Sequence, residues 1–236
     1  MGDLNGLITG ASSGIGLVIA RRLLEENPRL NLVGASRTPG PLSDHPRFRH
    51  WSCDLSEQGA ALGPAHRFAK EVGACHILVY AAGMGLFAPS DQWKQETVES
   101  LVQLNLTSPM TLCGGLAANL REASGLVVLL GSTSSRERAP LGAAYAATKA
   151  GLHHFAENFF QENRKSSVRV LHLCPGMVDT PFYEQERFRP KRGEEYSVDP
   201  DALAELVQFF FRGKGQGCNP THLVVEPQKV GIEKGS

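Results

Sequence analysis

Tyr145 and Lys149 lie four residues apart in the stretch AAYAATKAG, in which alanine predominates. If this stretch is helical, the two side chains lie one turn apart on the same face. A tyrosine hydroxyl has a pKa of about 10, and a nearby ammonium group favours the phenolate and lowers that pKa. The spacing therefore predicts a tyrosine that exchanges a proton with a substrate oxygen near neutral pH. A chance spacing and a plain contact between helices are the alternatives.

A second candidate site is the glycine-rich stretch TGASSGIG, residues 9–16, which lies between an apolar run and a helical pattern. Gly10 allows a sharp turn, Gly14 lets the backbone approach a ligand, and Gly16 lets the helix pack closely on the sheet. The N–H groups and the positive dipole end of that helix can then bind a pyrophosphate. A tight turn without a ligand is the alternative.

The choice between the two nicotinamide cofactors depends on the end of the second apolar run, GASRTP. NAD-binding sites usually carry a carboxylate at this point, which binds the ribose hydroxyls. Here the position holds Ser36, and Arg37 follows it. Because a guanidinium group can bind a 2′-phosphate through two hydrogen bonds, Arg37 predicts NADP(H) rather than NAD(H). An ordinary surface arginine is the alternative.

Apolar runs alternate with helical patterns along the whole chain, which is typical of a parallel sheet covered by helices. We predict an α/β fold, a Rossmann-type doubly wound parallel sheet of about seven strands with helices on both faces, in a single domain of residues 1–236. The predicted strands are GLITG, LNLVGAS, FRHWSC, HILVYAAG, GLVVLLGS, VRVLHLCPG and THLVVEP. The predicted helices are GLVIARRLLEE, AHRFAKEVG, residues 97–121, residues 143–163 and PDALAELVQFFFR.

Composition excludes several classes of partner. Lysine plus arginine equals aspartate plus glutamate, 24 each in 236 residues, so no net charge attracts nucleic acid or an anionic membrane. The five cysteines lack a CxxC spacing, which predicts neither a disulfide framework nor a zinc cluster and favours the reducing cytoplasm. No apolar run approaches the roughly 18 residues of a membrane span, and no leader pattern opens the chain. The eight histidines show no ligand spacing, so we predict no metal site.

Three motifs in the same order, TGASSGIG, YAATK and PGMVDTP, resemble those of a classical short-chain dehydrogenase/reductase. The resemblance extends from Leu7 to the final strand. It implies that Tyr145 is the proton donor and that Lys149 also binds the nicotinamide ribose. The family's serine, 13 positions before the tyrosine, corresponds to Ser132, and it binds the substrate oxygen. Asn105 corresponds to an asparagine that holds a water of the proton relay, with a satisfied core amide as the alternative.

The resemblance also implies a set of cofactor contacts at the carboxyl ends of the strands. Asp54 reaches the adenine, and the backbone after the sixth strand holds the nicotinamide carboxamide. The full set of predicted cofactor residues is Gly10, Ser12, Ser13, Gly14, Ile15, Gly16, Arg37, Asp54, Leu55, Ala81, Ala82, Gly83, Tyr145, Lys149, Pro175, Gly176, Val178 and Thr180.

Two departures from the family pattern stand out. The usual NNAG after the fourth strand is YAAG here, Tyr80 to Gly83, which removes the amides that brace the sheet and the cofactor. The link RTPGPLSDHPR between the second and third strands is too rich in proline for a helix, so we expect little cover over the adenine side. Neither departure affects the proton-transfer residues.

The predicted function is an NADP(H)-dependent carbonyl reductase or secondary alcohol dehydrogenase. A non-catalytic NADP-binding redox sensor is the alternative; the spacing TGxxxGxG and the chain length disfavour an extended sugar-nucleotide epimerase. We expect a small-molecule carbonyl or alcohol substrate, no nucleic-acid or membrane partner, and, by analogy with the family, a homodimer or homotetramer.

Substrate choice is expected to lie in residues 181–199, a charged segment with four aromatic residues that can cover an apolar or aromatic ketone. Those aromatic residues are Phe182, Tyr183, Phe188 and Tyr196. The basic residues Arg187, Arg189, Lys191 and Arg192 are balanced by Glu184, Glu186, Glu194 and Glu195, which predicts no charge selectivity. A solvated loop without a substrate role is the alternative.

Overall fold

A computed structural model describes residues 2–184, 186, 188–213 and 218–234, so Arg187 lies outside the described residues. Seven strands form one parallel sheet in the order β3-β2-β1-β4-β5-β6-β8. Their bounds are β1 Leu4–Thr9, β2 Leu30–Ser36, β3 Phe48–Ser52, β4 Ile77–Tyr80, β5 Leu126–Leu130, β6 Arg169–Pro175 and β8 Leu223–Val225. This order, with helices on the sheet, confirms the predicted Rossmann-type fold.

The helices are α1 Gly14–Glu26, α2 Leu62–Glu71, α3 Gln95–Val102, α4 Ser108–Gly115, α5 Ala117–Ala123, α6 Ala143–Asn163 and α7 Pro200–Phe211. The predicted bounds of α6 are confirmed. The prediction of one helix over residues 97–121 is wrong, because a π-helical turn, Gln103–Thr107, separates α3 from α4 and a break follows α4 at Leu116. Pro109 has no N–H to donate to the Asn105 carbonyl, so a regular α-helical pattern cannot pass this point.

Alternate residues of the central strands face two separate hydrophobic cores, as the period of two along a strand requires. Leu7, Leu78 and Val127 pack with helices α2, α4 and α6 on one face of the sheet. Their neighbours Ile8 and Val79 pack with α1 and α7 on the other face. Both faces of the sheet are therefore covered, and the carboxyl ends of the strands form the edge where a ligand can bind.

The link between β2 and β3 has no helix in its described residues, as predicted, and it packs beside α1 and the glycine-rich turn. Leu42 is buried in the core beside α1. A Cβ atom on Gly40 would lie only 2.6 Å from the Cα atom of Ser12, so the link lies directly against the glycine-rich turn. Arg47 donates hydrogen bonds to the carbonyls of Asn27 and Leu30 and so caps the end of α1. The link therefore covers the glycine-rich turn, and the little cover expected over the adenine side stays a prediction.

A second, two-stranded sheet was not predicted. Strand β7, Phe188–Pro190, pairs antiparallel with β9, Ile232–Lys234. The Arg189 guanidinium lies 2.7 Å from the Glu233 carboxylate across this pair. Part of the predicted substrate segment is thus a strand held by the end of the described chain. None of the described helices has both the length and the apolar character that a bilayer crossing requires.

Candidate active site

Helix α6 places Tyr145 and Lys149 on one buried face, with exposed fractions of 7% and 5%. Small residues around them favour the helix and let it approach the sheet closely. The Lys149 Nζ atom donates a hydrogen bond of 2.8 Å to the carbonyl of Leu130, the last residue of β5. The same Nζ atom lies 5.7 Å from the centre of the Tyr145 ring. The predicted pair therefore lies at the carboxyl edge of the sheet.

Burial dominates the electrostatics of this pair. Burial raises the pKa of Tyr145, and a hydrogen bond with the Ser132 side chain partly opposes that rise. Burial also lowers the pKa of Lys149 to about 8. The expectation that Lys149 lowers the Tyr145 pKa is not met in this structure, because the ammonium points to the Leu130 carbonyl rather than to the phenol oxygen. Lys149 still carries its charge at pH 7.

Ser132 follows β5 in an extended conformation, with φ of −168°. Its Oγ atom accepts a hydrogen bond of 3.1 Å from the backbone N–H of Ser134, which fixes the hydroxyl beside Tyr145. Two hydroxyl groups therefore converge, as a carbonyl-binding pair requires. The structure thus selects Ser132 among the four adjacent hydroxyl residues that the sequence offers here.

Asn105 lies in the π-helical turn and is 1% exposed. Its Oδ1 atom accepts a 3.0 Å hydrogen bond from the Met84 N–H, and its Nδ2 atom donates to the Met84 carbonyl at 2.9 Å and to Thr148 Oγ1 at 3.3 Å. A Cβ atom on Gly83 would lie 3.4 Å from Asn105 Oδ1 and 3.8 Å from Lys149 Nζ. Asn105 therefore joins the loop after β4 to helix α6, which carries Tyr145 and Lys149. Its role in a proton relay stays a prediction.

The YAAG stretch braces the sheet through groups that differ from the expected amides. The Tyr80 hydroxyl donates a 2.7 Å hydrogen bond to the carbonyl of Leu104 in the π-helical turn. The Thr9 Oγ1 atom accepts hydrogen bonds of 3.1 Å from the N–H groups of both Ala81 and Ala82. The prediction that the bracing is lost is therefore wrong, because one phenol and one threonine hydroxyl supply it.

The glycine-rich turn has the shape that a pyrophosphate requires. Gly10 and Gly14 have φ of +68° and +54°, which favour glycine, and a Cβ atom on Gly10 would lie 2.8 Å from the Ala82 nitrogen. Helix α1 begins at Gly14, where Ser13 makes no side-chain cap hydrogen bond among the described residues. The first N–H groups of α1 can therefore bind an anion. Thr180 lies 3.6 Å from the position of a Cβ atom on Gly14.

The predicted adenine and nicotinamide contacts lie along the same edge. The Asp54 carboxylate accepts hydrogen bonds from Ser56, which lower its pKa, and the exposed Arg37 lowers it further. Leu55 is buried. At the end of β6, the Gly176 N–H donates to the carbonyl of Val225 at 2.8 Å, which fixes the turn that precedes Thr180.

An aromatic wall, Phe87, Phe182, Tyr183 and Phe188, lies beside Tyr145. Ring centres are 5.2 Å apart for Phe87 and Tyr145, 6.0 Å for Tyr145 and Phe182, and 5.0 Å for Phe87 and Phe188. Phe87 was missed, because it lies in a loop far from the predicted segment in sequence. Tyr196 does not belong to this wall, since its ring lies 5.1 Å from the Lys191 ammonium and 5.8 Å from that of Lys229.

Three of the eight histidines, which show no ligand spacing in the sequence, converge in the structure beside Gly131, the residue before Ser132. His153 comes from α6, His172 from β6, and His222 directly precedes β8. Cys174 lies beside them, two residues after His172 on the same strand. Burial, helped by the neighbouring histidines, lowers the pKa of His172 to about 3, and burial raises the pKa of Cys174 to about 11. The sequence signal that could have predicted this cluster is a histidine and a cysteine at alternate positions of an apolar strand.

Comparison with known proteins identifies the family. A family model described as short chain dehydrogenase matches residues 5–190. The chain belongs to the short-chain dehydrogenase family. A short chain dehydrogenase of Penicillium roqueforti, adrF, is 30% identical over 218 residues, which cover 91% of this chain and 84% of that protein. An uncharacterized oxidoreductase of Staphylococcus epidermidis is 28% identical over 86% of this chain and 88% of its own length.

Solved structures agree with this family. A metagenomic short-chain oxidoreductase in complex with NADP has a TM-score of 0.79 and 26% identity, over 96% of this chain and 98% of that one. An alcohol dehydrogenase of the archaeon Thermococcus sibiricus, complexed with 5-hydroxy-NADP, has a TM-score of 0.84 and 23% identity, over 97% and 98%. At 23% identity, the similarity to the alcohol dehydrogenase shows a shared fold. Short-chain dehydrogenases are oxidoreductases that bind a nicotinamide cofactor and act on small molecules.

Proposed function

We propose that this short-chain dehydrogenase is an NADP(H)-dependent carbonyl reductase or secondary alcohol dehydrogenase for small apolar substrates. The observation that supports this most strongly is the buried Tyr145 hydroxyl, which lies beside Ser132 and against an aromatic wall. We also propose that residues 1–236 form one domain that acts in the cytoplasm as a homodimer or homotetramer.

The residues of the site have distinct tasks in this proposal. The bound nicotinamide supplies or accepts the hydride. The Ser132 and Tyr145 hydroxyls donate hydrogen bonds to the substrate oxygen, where negative charge develops during reduction. Tyr145 then gives its proton to that oxygen, and Lys149 keeps a positive charge at the same edge of the sheet. Asn105 keeps the Met84 loop and α6 in register beside the pair.

The cofactor contacts follow from the shape of the sheet edge. The first N–H groups of α1 would hold the pyrophosphate, Arg37 would hold the 2′-phosphate, and Lys149 would hold the nicotinamide ribose. The aromatic wall accepts the apolar part of the substrate, because the Phe87 and Phe182 rings lie 5.2 and 6.0 Å from the Tyr145 ring.

The test of this function is oxidation of NADPH in the presence of a panel of aliphatic and aromatic ketones and aldehydes. We expect loss of the reduced-nicotinamide absorbance with at least one aromatic ketone, at a rate that depends on the ketone concentration. A non-catalytic redox sensor gives the opposite result: NADPH raises the melting temperature, but no carbonyl in the panel is reduced. That outcome would reject the catalytic proposal and favour the sensor.

Arg37 is expected to set the cofactor preference. NADPH should raise the melting temperature more than NADH at equal concentration, because a ligand that binds only the folded state stabilises it by mass action. The Arg37→Ala variant should weaken NADPH binding by roughly tenfold, about 1.4 kcal/mol, and leave NADH binding unchanged. Arg21→Ala, at an exposed position of α1, is the matched control. An equal or larger melting shift with NADH would reject the choice of NADP(H).

A further inference from the structure

The four-residue cluster His153, His172, His222 and Cys174 is not used by the proposed reaction. The Nδ1 atom of His172 lies 3.2 Å from the Nδ1 atom of His153 and 3.2 Å from that of His222. The Cys174 Sγ atom lies 3.3 Å from the Nδ1 atom of His172 and 3.6 Å from that of His222. The three imidazoles therefore offer ligand nitrogens within 4.8 Å of one another, and the Cys174 thiol lies beside two of them.

The two nitrogen–nitrogen and two nitrogen–sulfur separations given above match edges of a tetrahedral zinc site. Zinc binds histidine nitrogen at about 2.0–2.1 Å and cysteine sulfur at about 2.3 Å, so two nitrogens are about 3.3 Å apart and a nitrogen and a sulfur about 3.6 Å apart. Hydrogen bonds alone fit the cluster poorly. A neutral imidazole nitrogen has either one proton or one lone pair, so it makes one hydrogen bond. Three nitrogen or sulfur atoms, of His153, His222 and Cys174, nevertheless lie within 3.3 Å of His172 Nδ1.

The surroundings of the cluster also fit a metal site. Gly131 leaves room for it, because a Cβ atom at this position would collide with His172 Nε2 and Cys174 Sγ. The other ring nitrogen of His153, Nε2, faces the Glu157 carboxylate at 3.7 Å, one turn further along α6. A carboxylate behind a histidine ligand orients the ring and makes it a stronger ligand.

We propose that His153, His172, His222 and Cys174 bind one Zn²⁺ ion in a tetrahedral site. On binding, the three imidazoles ligate through Nδ1, and the Cys174 thiol loses its proton to solvent and ligates as thiolate. Because four protein ligands close the coordination shell, the ion has a structural role and takes no substrate. The ion connects α6 and β6 to the segment that precedes β8, close to Ser132.

Cobalt binding to the chelator-treated full chain tests this proposal. We expect one Co²⁺ per chain, with the visible absorption of a tetrahedral ion and a thiolate-to-cobalt charge-transfer band, and displacement of both by Zn²⁺. Zn²⁺ should also raise the melting temperature of the chelator-treated chain. Cys174→Ser should remove the charge-transfer band. His153→Gln should weaken cobalt binding by about a hundredfold or more, which exceeds the usual effect of losing a residue that only hydrogen-bonds a metal ligand.

One neighbouring histidine and one buried cysteine of α4 provide matched controls. His154→Gln changes the histidine that follows His153, and the His154 side chain is 81% exposed. Cys113→Ser changes another buried thiol. Neither should alter the cobalt spectrum. Far-UV circular dichroism shows whether each variant folds, and His153→Gln still tests the site if Cys174→Ser does not fold. An octahedral spectrum, no binding, or a spectrum that neither ligand variant changes would overturn the proposal and leave a metal-free cluster or an adventitious surface ion.

Discussion

Tyr145→Phe is expected to lower the rate of carbonyl reduction by about 10²- to 10⁴-fold, the usual contribution of a positioned proton donor. The phenyl ring fills the same space between α6 and the aromatic wall, so the fold and the cofactor site should be unchanged. The rate of NADPH oxidation at saturating ketone measures the loss. The melting shift with NADPH measures cofactor binding and should equal that of the unaltered chain.

Tyr183→Phe is the matched control for this substitution. Tyr183 belongs to the same aromatic wall and is partly buried, with its pKa raised by burial to about 12. Removing its hydroxyl should change the rate by much less than removing that of Tyr145. A Tyr145→Phe variant that keeps most of its rate would refute the proposed proton transfer, and equal losses in both variants would show that the wall, rather than the proton donor, limits the reaction.

Lys149→Met is expected to abolish most activity and yet to raise the free energy of unfolding at pH 7. Burial lowers the pKa of Lys149 from 10.5 to about 8, which corresponds to a cost of about 3 kcal/mol for holding its charge in the folded state. Methionine has a similar length and no charge. The lost hydrogen bond to the Leu130 carbonyl offsets part of the gain, by about 1 kcal/mol or more.

The size of the stabilisation by Lys149→Met depends on pH, and this dependence identifies the buried charge as its cause. Below pH 8 the lysine is charged in both the folded and the unfolded chain, so the full cost destabilises the fold. Between pH 8 and 10.5 the folded chain loses this proton first, and its stability rises. The stability advantage of Lys149→Met should therefore be largest below pH 8 and disappear towards pH 10.5. Urea unfolding at a series of pH values measures it.

Lys70→Met, at an exposed position of α2, is the control for the pH series. Its free energy of unfolding should stay close to that of the unaltered chain at each pH. A Lys149→Met chain that is less stable than the unaltered chain at pH 7 would contradict the argument from burial. It would show that the contact with the Leu130 carbonyl outweighs the cost of desolvating the ammonium.

Local patterns made most of the fold predictable. The alternation of apolar runs and helical periods predicted the seven-stranded parallel sheet, and the helix predicted over residues 143–163 has the bounds of α6. The spacing of Tyr145 and Lys149 placed them on one buried face, as the structure shows. These features depend on residues that are close in sequence, where propensity and period are informative.

Contacts between distant residues were not predictable in the same way. The Tyr80 hydroxyl meets a carbonyl 24 positions later, and that carbonyl is available only because the helix has a π-helical turn. His222 meets His172 across 50 positions, and β9 pairs with a segment more than forty residues before it. No local period encodes such partners. The direction of the Lys149 ammonium was missed for the same reason, since the Leu130 carbonyl comes from another element.

The π-helical turn, Gln103–Thr107, has a consequence for how this part of the chain can change. Such a turn contains one residue more than the α-helical turn that it replaces, and each residue of a helix rotates the next by about 100°. Deleting a single residue here would rotate Asn105 away from Met84 and remove the carbonyl that Tyr80 uses. The length of the segment from α3 to α4 is therefore constrained by two separate contacts, those of Asn105 and of Tyr80.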